Sequence, residues 1–407
     1  MNSHHECVVV TGLGATTPLG GDVASTWDGL LAGRCGVRAL ETQWAQELPV
    51  KIAASLAQEP TEKIKPVQAR RMDRCTQVAI VAAREAWADA GTPEIDPERL
   101  AVAVGSGFAG VLTVLSQEHI RRTDGYKRVS PLSVPMLMPN GPAAMVGLDL
   151  GARAGAHTTV SACASGAESL SLGLDIIRAG RADMVLVGGA EACIHPLVLS
   201  GFSQMRALST RNDEPQRASR PFDKARDGFV LAEGAGAIVL ERADHAQARG
   251  VRIYAALAGA GVTSDAHDVV QPHPQGAGAA RAITAALRAA GLDRRDVTHV
   301  NAHATSTPAG DAPEAEAIRA AIGDHAVVTA PKGSLGHLLG AAGTVEAIAT
   351  VLAIYHGVIP PTINLEELDE RVRLDIATKP REATIQAAVN DSFGFGGHNV
   401  AVAFTAV

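Results

Sequence analysis

Short apolar runs alternate with amphipathic stretches of helical period along the chain. Cys7–Thr11 is a β-branched run that ends in glycines, and Leu100–Val104 is wholly apolar and reads as a buried strand. Met184–Val187 runs into Gly188-Gly189, and Ala237–Leu240 is a further apolar strand. Gln77–Ala90 repeats its apolar positions at the spacing of one helix face and closes at Gly91. Ala167–Arg178 does the same and closes at Gly180. Strands alternating with helices in this way predict an α/β fold, parallel sheet covered by helices. No low-complexity linker interrupts the alternation, which argues against loosely tethered domains.

A faint repeat lies inside this pattern. Gly166 opens a helical stretch that closes at Gly180, and Gly343 opens one that closes at Gly357. Each follows a strand-like run (Ala156–Val160; Ala326–Ala330) and a turn of small residues. A duplicated βαβ half has this form. It sets two halves, residues 1–250 and 251–407, that contribute one chemical group each to a shared centre.

Those groups stand where the repeat puts them. Cys163 precedes the first helix, in Val160-Ser161-Ala162-Cys163-Ala164-Ser165-Gly166. His337 precedes the second, in Lys332-Gly333-Ser334-Leu335-Gly336-His337. His303 follows another strand-like run, Val297–Val300, in Asn301-Ala302-His303-Ala304-Thr305-Ser306-Thr307-Pro308. A helix start carries partial positive charge, which favours thiolate over thiol at Cys163. Its small neighbours let a carbonyl approach, and backbone N–H groups there can hold an oxyanion. A lone cysteine is as readily a small buried hydrophobe, and most of the 14 histidines read as surface or satisfied residues. The three together describe a thiol nucleophile served by two imidazoles, the apparatus of carbon–carbon bond formation on thioesters. His398, in Gly396-Gly397-His398-Asn399, reads as structural, and His4-His5-Glu6 as a disordered terminus rather than a ligand cluster.

Composition narrows the class further. A chain of 407 residues, 46% of them hydrophobic, can bury a large core, as one large α/β unit or roughly two or three domains. Glycine is abundant and aromatics are only 3%, which suits close-packed helices and tight turns. The net charge of −7 argues against nucleic acid as a partner. The five cysteines are odd in number and form no C-x-x-C pair, which fits a reduced, cytoplasmic setting. No signal peptide is read at the start, because His4, His5 and Glu6 stand where its apolar segment would form. No apolar run approaches the length of a membrane span, and no H-E-x-x-H or paired cysteine–histidine spacing suggests a metal.

Two glycine-rich segments open an alternative of another class, a nicotinamide-dependent oxidoreductase. Gly105-Ser106-Gly107-Phe108-Ala109-Gly110 fits G-x-G-x-x-G directly after a strand. The required acid-tipped strand roughly 20 residues on is missing. Thr11-Gly12-Leu13-Gly14 is similar, but Pro18 removes a backbone donor where a phosphate-binding helix should begin.

The residues also carry a resemblance to a family. The chain resembles the elongating β-ketoacyl-[acyl-carrier-protein] synthases of dissociated, type II fatty acid synthesis, nearly end to end. The match runs from Val8-Val9-Val10-Thr11-Gly12 to Asn390-Asp391-Ser392-Phe393-Gly394-Phe395-Gly396-Gly397. Its motifs are Ser161-Ala162-Cys163-Ala164-Ser165-Gly166, Pro221-Phe222-Asp223 with Arg226-Asp227-Gly228-Phe229, Asn301-Ala302-His303 with Thr305-Ser306-Thr307-Pro308, and Lys332 before His337. The resemblance implies the thiolase fold, duplicated βαβ halves in a five-layer α-β-α-β-α arrangement, and a homodimer. It implies that Cys163 takes an acyl chain from an acyl carrier protein as a thioester. A malonyl thioester then loses carbon dioxide, His303 and His337 hold the enolate oxygen, and the carbanion attacks the acyl carbonyl. The backbone N–H groups of Cys163 and Phe395 would hold that oxyanion, with Phe393 beside the same gate. Lys332, Asp311, Glu314 and Glu346 would form an ion-pair network that orients His337. No cofactor is implied, because the substrates carry phosphopantetheine. Thr305 and Thr307 match arm-binding threonines, and Lys127, Arg128 and Arg206 a basic docking surface for the carrier. Lys65 and Arg70 either extend that surface or are solvated charges.

Two histidines, rather than one paired with cysteine or asparagine, match a decarboxylating elongation enzyme. A chain-length factor, the binding-class alternative, lacks the nucleophile that Cys163 supplies. Four positions depart from the common pattern: Ala304 for glycine, Leu335 for threonine, Val270 for a threonine that can contact the arm, and Phe108. The resemblance puts Phe108 at the acyl pocket, usually lined there by glycine or a mid-sized aliphatic side chain. A ring at that point would favour short chains, and leaves open a specialised short-chain or secondary-metabolite ketosynthase.

Overall fold

Strand propensity and burial build a main hydrogen-bonded sheet of eleven strands, as seen in a computed structural model that describes residues 7–407. Its strands are β1 (Val8–Thr16), β2 (Leu100–Gly105), β3 (Gly155–His157), β4 (Met184–Glu191), β5 (Gly234–Arg242), β6 (Ala255–Ser264), β7 (Val297–Asn301), β8 (Val327–Thr329), β9 (Asp375–Ile376), β10 (Ala387–Gly394) and β11 (His398–Thr405). They lie in the order β9-β8-β7-β10-β11-β6-β1-β5-β4-β2-β3. The same pattern occurs twice. In the first half β3, β2 and β4 are parallel, and β5 and β1 follow antiparallel. In the second half β8, β7 and β10 are parallel, and β11 and β6 follow antiparallel. The halves join where Val9 and Val10 of β1 pair with Ala256 and Ala255 of β6. His4-His5-Glu6 lies outside the described residues.

Helices α1 (Arg74–Asp89), α2 (Gly141–Leu150), α3 (Ser165–Arg178), α4 (Ala277–Ala290), α5 (Asp311–Ala321) and α6 (Ala342–His356) complete the layers. Helices α1 and α2 cover the outer face of the first half, where Val78, Ile80 and Val81 meet Val102 and Leu186. Helices α4 and α5 cover the second half, where Ile283 and Ile318 meet Val300 and Val389. Helices α3 and α6 lie between, each touching strands of both halves, in a core that includes Leu170, Leu174, Val345, Ile348, Leu240 and Phe404. The result is the expected five layers. The repeat read from Gly166 and Gly343 corresponds to α3 and α6, each entered from a short strand, β3 or β8.

Glycines act here as packing residues more than as strand ends. The sequence expectation stopped a strand at Thr11 and another at Val187. In the structure β1 runs through Gly12 and Gly14 to Thr16, and β4 through Gly188-Gly189 to Glu191. A Cβ on Gly14 would strike the Ala82 carbonyl of α1 and lie 2.6 Å from Ala86 N; one on Gly189 would lie 2.7 Å from Gly340 O. The bare backbone lets helix and strand touch. Helix α1 also starts earlier than Gln77, at Arg74, because the Asp73 carboxylate accepts from Cys75 N–H at 2.9 Å and caps it.

The expectation that no apolar run approaches a membrane span needs correction. Leu339–His356 is 18 residues long and apolar enough to qualify. It is mostly buried, because α6 is the central helix covered by sheet on both sides.

At their first turns α3 and α6 come together. A Cβ on Gly166 would lie 2.6 Å from Thr344 Oγ1, and one on Gly343 2.7 Å from Ala167 N. The Thr344 hydroxyl donates to Gly166 O at 3.0 Å.

Gly14→Ala tests the packing role at a position far from this junction. The added methyl should lower stability by about 1–3 kcal/mol, the usual cost of overpacking. Urea unfolding should show a lower midpoint with an unchanged slope.

Candidate active site

A cavity of about 570 Å³ opens where the first turns of α3 and α6 meet, and Cys163, His303 and His337 all line it. Cys163 sits in a single 3₁₀ turn, Ala162–Ala164, that leads into α3. Ala162 holds φ at +51°, a strained value for a residue with a side chain. Ser165 fixes the turn: its Oγ donates to Ala162 O at 2.6 Å and accepts from Ser161 N–H at 3.0 Å. The hairpin carrying Phe393 and Phe395 backs onto the same turn, and a Cβ on Gly394 would lie 3.1 Å from Cys163 N. Burial pushes the half-buried Cys163 thiol up to about 12, against the downward pull of Lys332. Desolvation thus opposes the thiolate that a helix start favours.

The two imidazoles are held through their backbones. The His337 N–H donates to Val230 O at 2.7 Å, and its carbonyl accepts from Ala232 N–H at 3.0 Å. The His303 N–H donates to Glu314 Oε1 at 2.6 Å and to Asp391 Oδ1 at 2.8 Å. The rings lie 5.2 Å apart, edge to face. Phe229 packs on His337 and Phe393 on His303, also edge to face. Burial, and then the positive charge of Lys332, hold both imidazoles well below the ordinary histidine range. Both are neutral at pH 7.

The expected four-member network around Lys332 is divided. Lys332 and Glu346, both fully buried, form one ion pair. Asp311 instead faces Arg226 at 3.6 Å and accepts from Phe222 N–H at 2.8 Å. Glu314 holds the His303 and Ala304 N–H groups. Proximity in sequence does not reveal this split, because Arg226 and Asp391 come from other parts of the chain.

Phe202 and the buried Glu191 were not singled out from sequence, and Phe229 entered only within a family motif. Phe202 and Phe229 join Phe108, Phe393 and Phe395, so five of the chain's seven phenylalanines face the cavity. Glu191, at the end of β4, is the more informative omission. Its carboxylate accepts from Gly107 N–H at 2.8 Å, Phe108 N–H at 3.1 Å, Gly340 N–H at 3.2 Å and Ser106 Oγ at 3.1 Å. Burial pushes it up to about 7, and these donors pull it down. It ties the turn after β2 to the turn before α6. The N–H groups of the G-x-G-x-x-G segment thus hold the chain's own carboxylate, where the dinucleotide alternative needs a diphosphate. The available signal was an isolated acid closing an apolar strand.

Thr305, Thr307 and Val270 line the cavity, and the two hydroxyls lie 3.0 Å apart. Arg206 lines it as well. Lys127, Arg128, Lys65 and Arg70 are exposed and stand outside the lining. His398 lies at the start of β11, also outside it. Among the described residues no group of three or more His, Cys, Asp or Glu side chains is placed to hold a metal.

A thiol and two neutral imidazoles at the junction of duplicated α/β halves define a condensing enzyme of the thiolase fold. A β-ketoacyl synthase from Burkholderia phymatum superposes with a TM-score of 0.92 at 35% identity, over 99% of this chain and 100% of that one. A ketosynthase solved in a complex with its type II polyketide synthase acyl-carrier protein, bound to the hexaketide, gives 0.91 at 30% identity, over 99% and 100%. Residues 5–246 match the family model described as beta-ketoacyl synthase, N-terminal domain, and residues 254–366 match the C-terminal domain of the same family. The chain belongs to the β-ketoacyl synthase family. It is 46% identical to 3-oxoacyl-[acyl-carrier-protein] synthase 2 of Mycobacterium bovis, over 98% of this chain and 96% of the relative. It is 42% identical to the protein of that name in Staphylococcus aureus, over 99% of each.

Glu191→Ala should leave the Gly107, Phe108 and Gly340 N–H groups without their acceptor. A loss of about 3 kcal/mol is expected, the scale of unsatisfied buried donors. Thermal unfolding measures it directly.

Proposed function

We propose that this protein catalyses the decarboxylative condensation of an acyl chain held on Cys163 with malonyl-[acyl-carrier protein]. The products are 3-oxoacyl-[acyl-carrier protein] and carbon dioxide, in fatty acid or related polyketide elongation. The observation that carries the reading is one half-buried thiol sharing a cavity with two neutral imidazoles. Cys163 exchanges with the carrier thioester, and its proton leaves on the released carrier thiol. In the second half-reaction malonyl thioester loses carbon dioxide, and Nε2–H groups of His303 and His337 hold the enolate oxygen. The carbanion adds to the acyl carbonyl, whose oxyanion is held by the N–H groups of Cys163 and Phe395. Collapse expels the cysteine sulfur, which takes up a proton.

The carrier is the partner named for the relatives and present with one structural neighbour. Its arm would run past Thr305 and Thr307, while Val270 offers only apolar contact. No cofactor beyond that arm is needed. Arg206, at the cavity, would receive the acidic carrier together with Lys127 and Arg128, and Lys65 and Arg70 would extend the surface. A second copy of the chain would cover the exposed apolar residues Val114, Tyr126, Leu132, Val134 and Met138 and the open edge of β3, giving a homodimer. All five cysteines are free, which fits a reducing cytoplasm.

The test is direct. Acyl-carrier substrate should modify Cys163, mapped by mass spectrometry, and none of Cys7, Cys35, Cys75 or Cys193. Alanine at His303 or His337 should slow carbon dioxide release about 10²- to 10³-fold, the scale of losing one oxyanion donor. Acyl loading should suffer less. Normal release in either variant would refute the assignment.

A short-chain specialisation has its own support. Phe108 is 40% exposed inside the cavity, and its ring meets Phe202 edge to face at 6.1 Å. The ring occupies volume that an extended chain needs. Short acyl primers should be elongated faster than chains of about ten or more carbons, and Phe108→Gly should relax the preference. Equal rates on both in the unmodified enzyme would make Phe108 a movable wall and end the short-chain reading.

A further inference from the structure

Two buried carboxyl groups converge on a single donor, the His303 backbone N–H. Glu314, on the first turn of α5, and Asp391, on β10, both accept from it, at 2.6 and 2.8 Å. The Ala304 N–H takes the other Glu314 oxygen at 2.7 Å. Asp391 Oδ2 is buried and receives no N–H. Among the described residues neither carboxyl forms an ion pair of its own. The charged groups around them are already committed. Lys332 is paired with Glu346, Asp311 with Arg226, and His303 is neutral. Two carboxylates cannot share one N–H in a dry interior without an additional proton between them.

We propose that Asp391 is a positioning residue: it shares one proton with Glu314, and the single negative charge so formed clamps the His303 backbone where its imidazole meets the enolate oxygen. The proposal rests on the condensing reaction assigned above. Burial pushes both groups up, Asp391 to about 6 and Glu314 well above the carboxylate range; the Asp391 charge raises Glu314 further, while the contact with Glu314 pulls Asp391 down, so the proton belongs mainly to Glu314. The raised pair keeps its shared proton at neutral pH and loses it as pH rises. Two facing carboxylates then repel across one N–H, and the segment carrying His303 loses its hold. Activity should fall on the alkaline side.

Asp391→Asn separates these effects. The amide oxygen still accepts from His303 N–H, and the amide nitrogen donates to an ionised Glu314 without a shared proton. The alkaline fall in malonyl decarboxylation should move up by about one pH unit or more, or vanish, a tenfold change in the ionisation constant. Infrared difference spectra at neutral pH should show one carboxylic-acid carbonyl band fewer than in the unmodified protein. Asp391→Ala, which removes the acceptor, should lower decarboxylation at least tenfold while acyl loading of Cys163 falls less. If Asp391→Asn does not fold, Glu314→Gln removes the same shared proton, at the expense of one backbone N–H acceptor, and should lose the same band. An unchanged alkaline limb and an unchanged band in Asp391→Asn would overturn the proposal. If the unmodified protein releases no carbon dioxide from malonyl thioester, the functional reading fails, and the infrared band alone decides whether the proton is shared.

Discussion

The contact of α3 with α6 at Gly166 and Gly343 is the constraint on which the rest depends. Packed helices ordinarily keep their axes about 8–10 Å apart because side chains stand between them. Here neither helix has a Cβ at the crossing, and the Thr344 hydroxyl reaches a backbone carbonyl of the other helix. Cys163 lies one turn before α3, and His337 shortly before α6. Bringing the two helix starts together therefore makes one cavity from groups far apart in the chain. It also aims both positive helix ends at that cavity. Their effect falls on anions that form during the reaction, since the resting thiol stays protonated.

Burial gives the site its resting charge state. The thiol is protonated, both imidazoles are neutral, and Lys332 with Glu346 carries no net charge. This suits decarboxylation, in which negative charge moves from the malonyl carboxylate to an enolate oxygen. A cationic imidazolium would stabilise the starting carboxylate as well as the product enolate, and so lower the barrier little. Neutral N–H donors aimed at the enolate position act mainly after the charge has moved. The same low dielectric makes positions strict, because a buried donor without its acceptor is costly. That is why so many carboxylates hold backbone N–H groups around the cavity.

The parts legible in sequence were those that announce themselves locally. Cys163, His303 and His337 stood out because each is a reactive side chain among small residues. The duplication showed through Gly166 and Gly343 because a helix opening on glycine is unusual twice. Strand ends were misread at Gly12 and Gly188, where glycine serves a neighbouring helix or turn invisible in the local pattern. Glu191 meets Gly107 across 84 residues, and Asp391 meets His303 across 88. Neither acid has a role until the fold supplies its partner. The desolvation of Cys163 was hidden for a related reason, since a helix start is read locally while desolvation is set by everything packed around it.

The distribution of aromatic rings carries the same logic to substrate recognition. A 3% aromatic content reads as a property of small, tightly packed layers, and for the core it is one: Ala, Val, Leu and Ile fill the helix–sheet contacts. Five of the seven phenylalanines stand at the cavity instead. Phe108 touches Phe202, Phe202 touches Phe229, and Phe229 touches His337, each edge to face. Edge-to-face pairs favour particular angles, so turning one ring changes the packing preferred by the next. A phenylalanine has only two rotatable side-chain bonds and loses little entropy when it is fixed. Such rings can form a wall that is rigid when packed and still able to turn. The ring on which the proposed acyl chain would press is therefore packed, through two intervening rings, into the same aromatic wall as an imidazole assigned to the enolate.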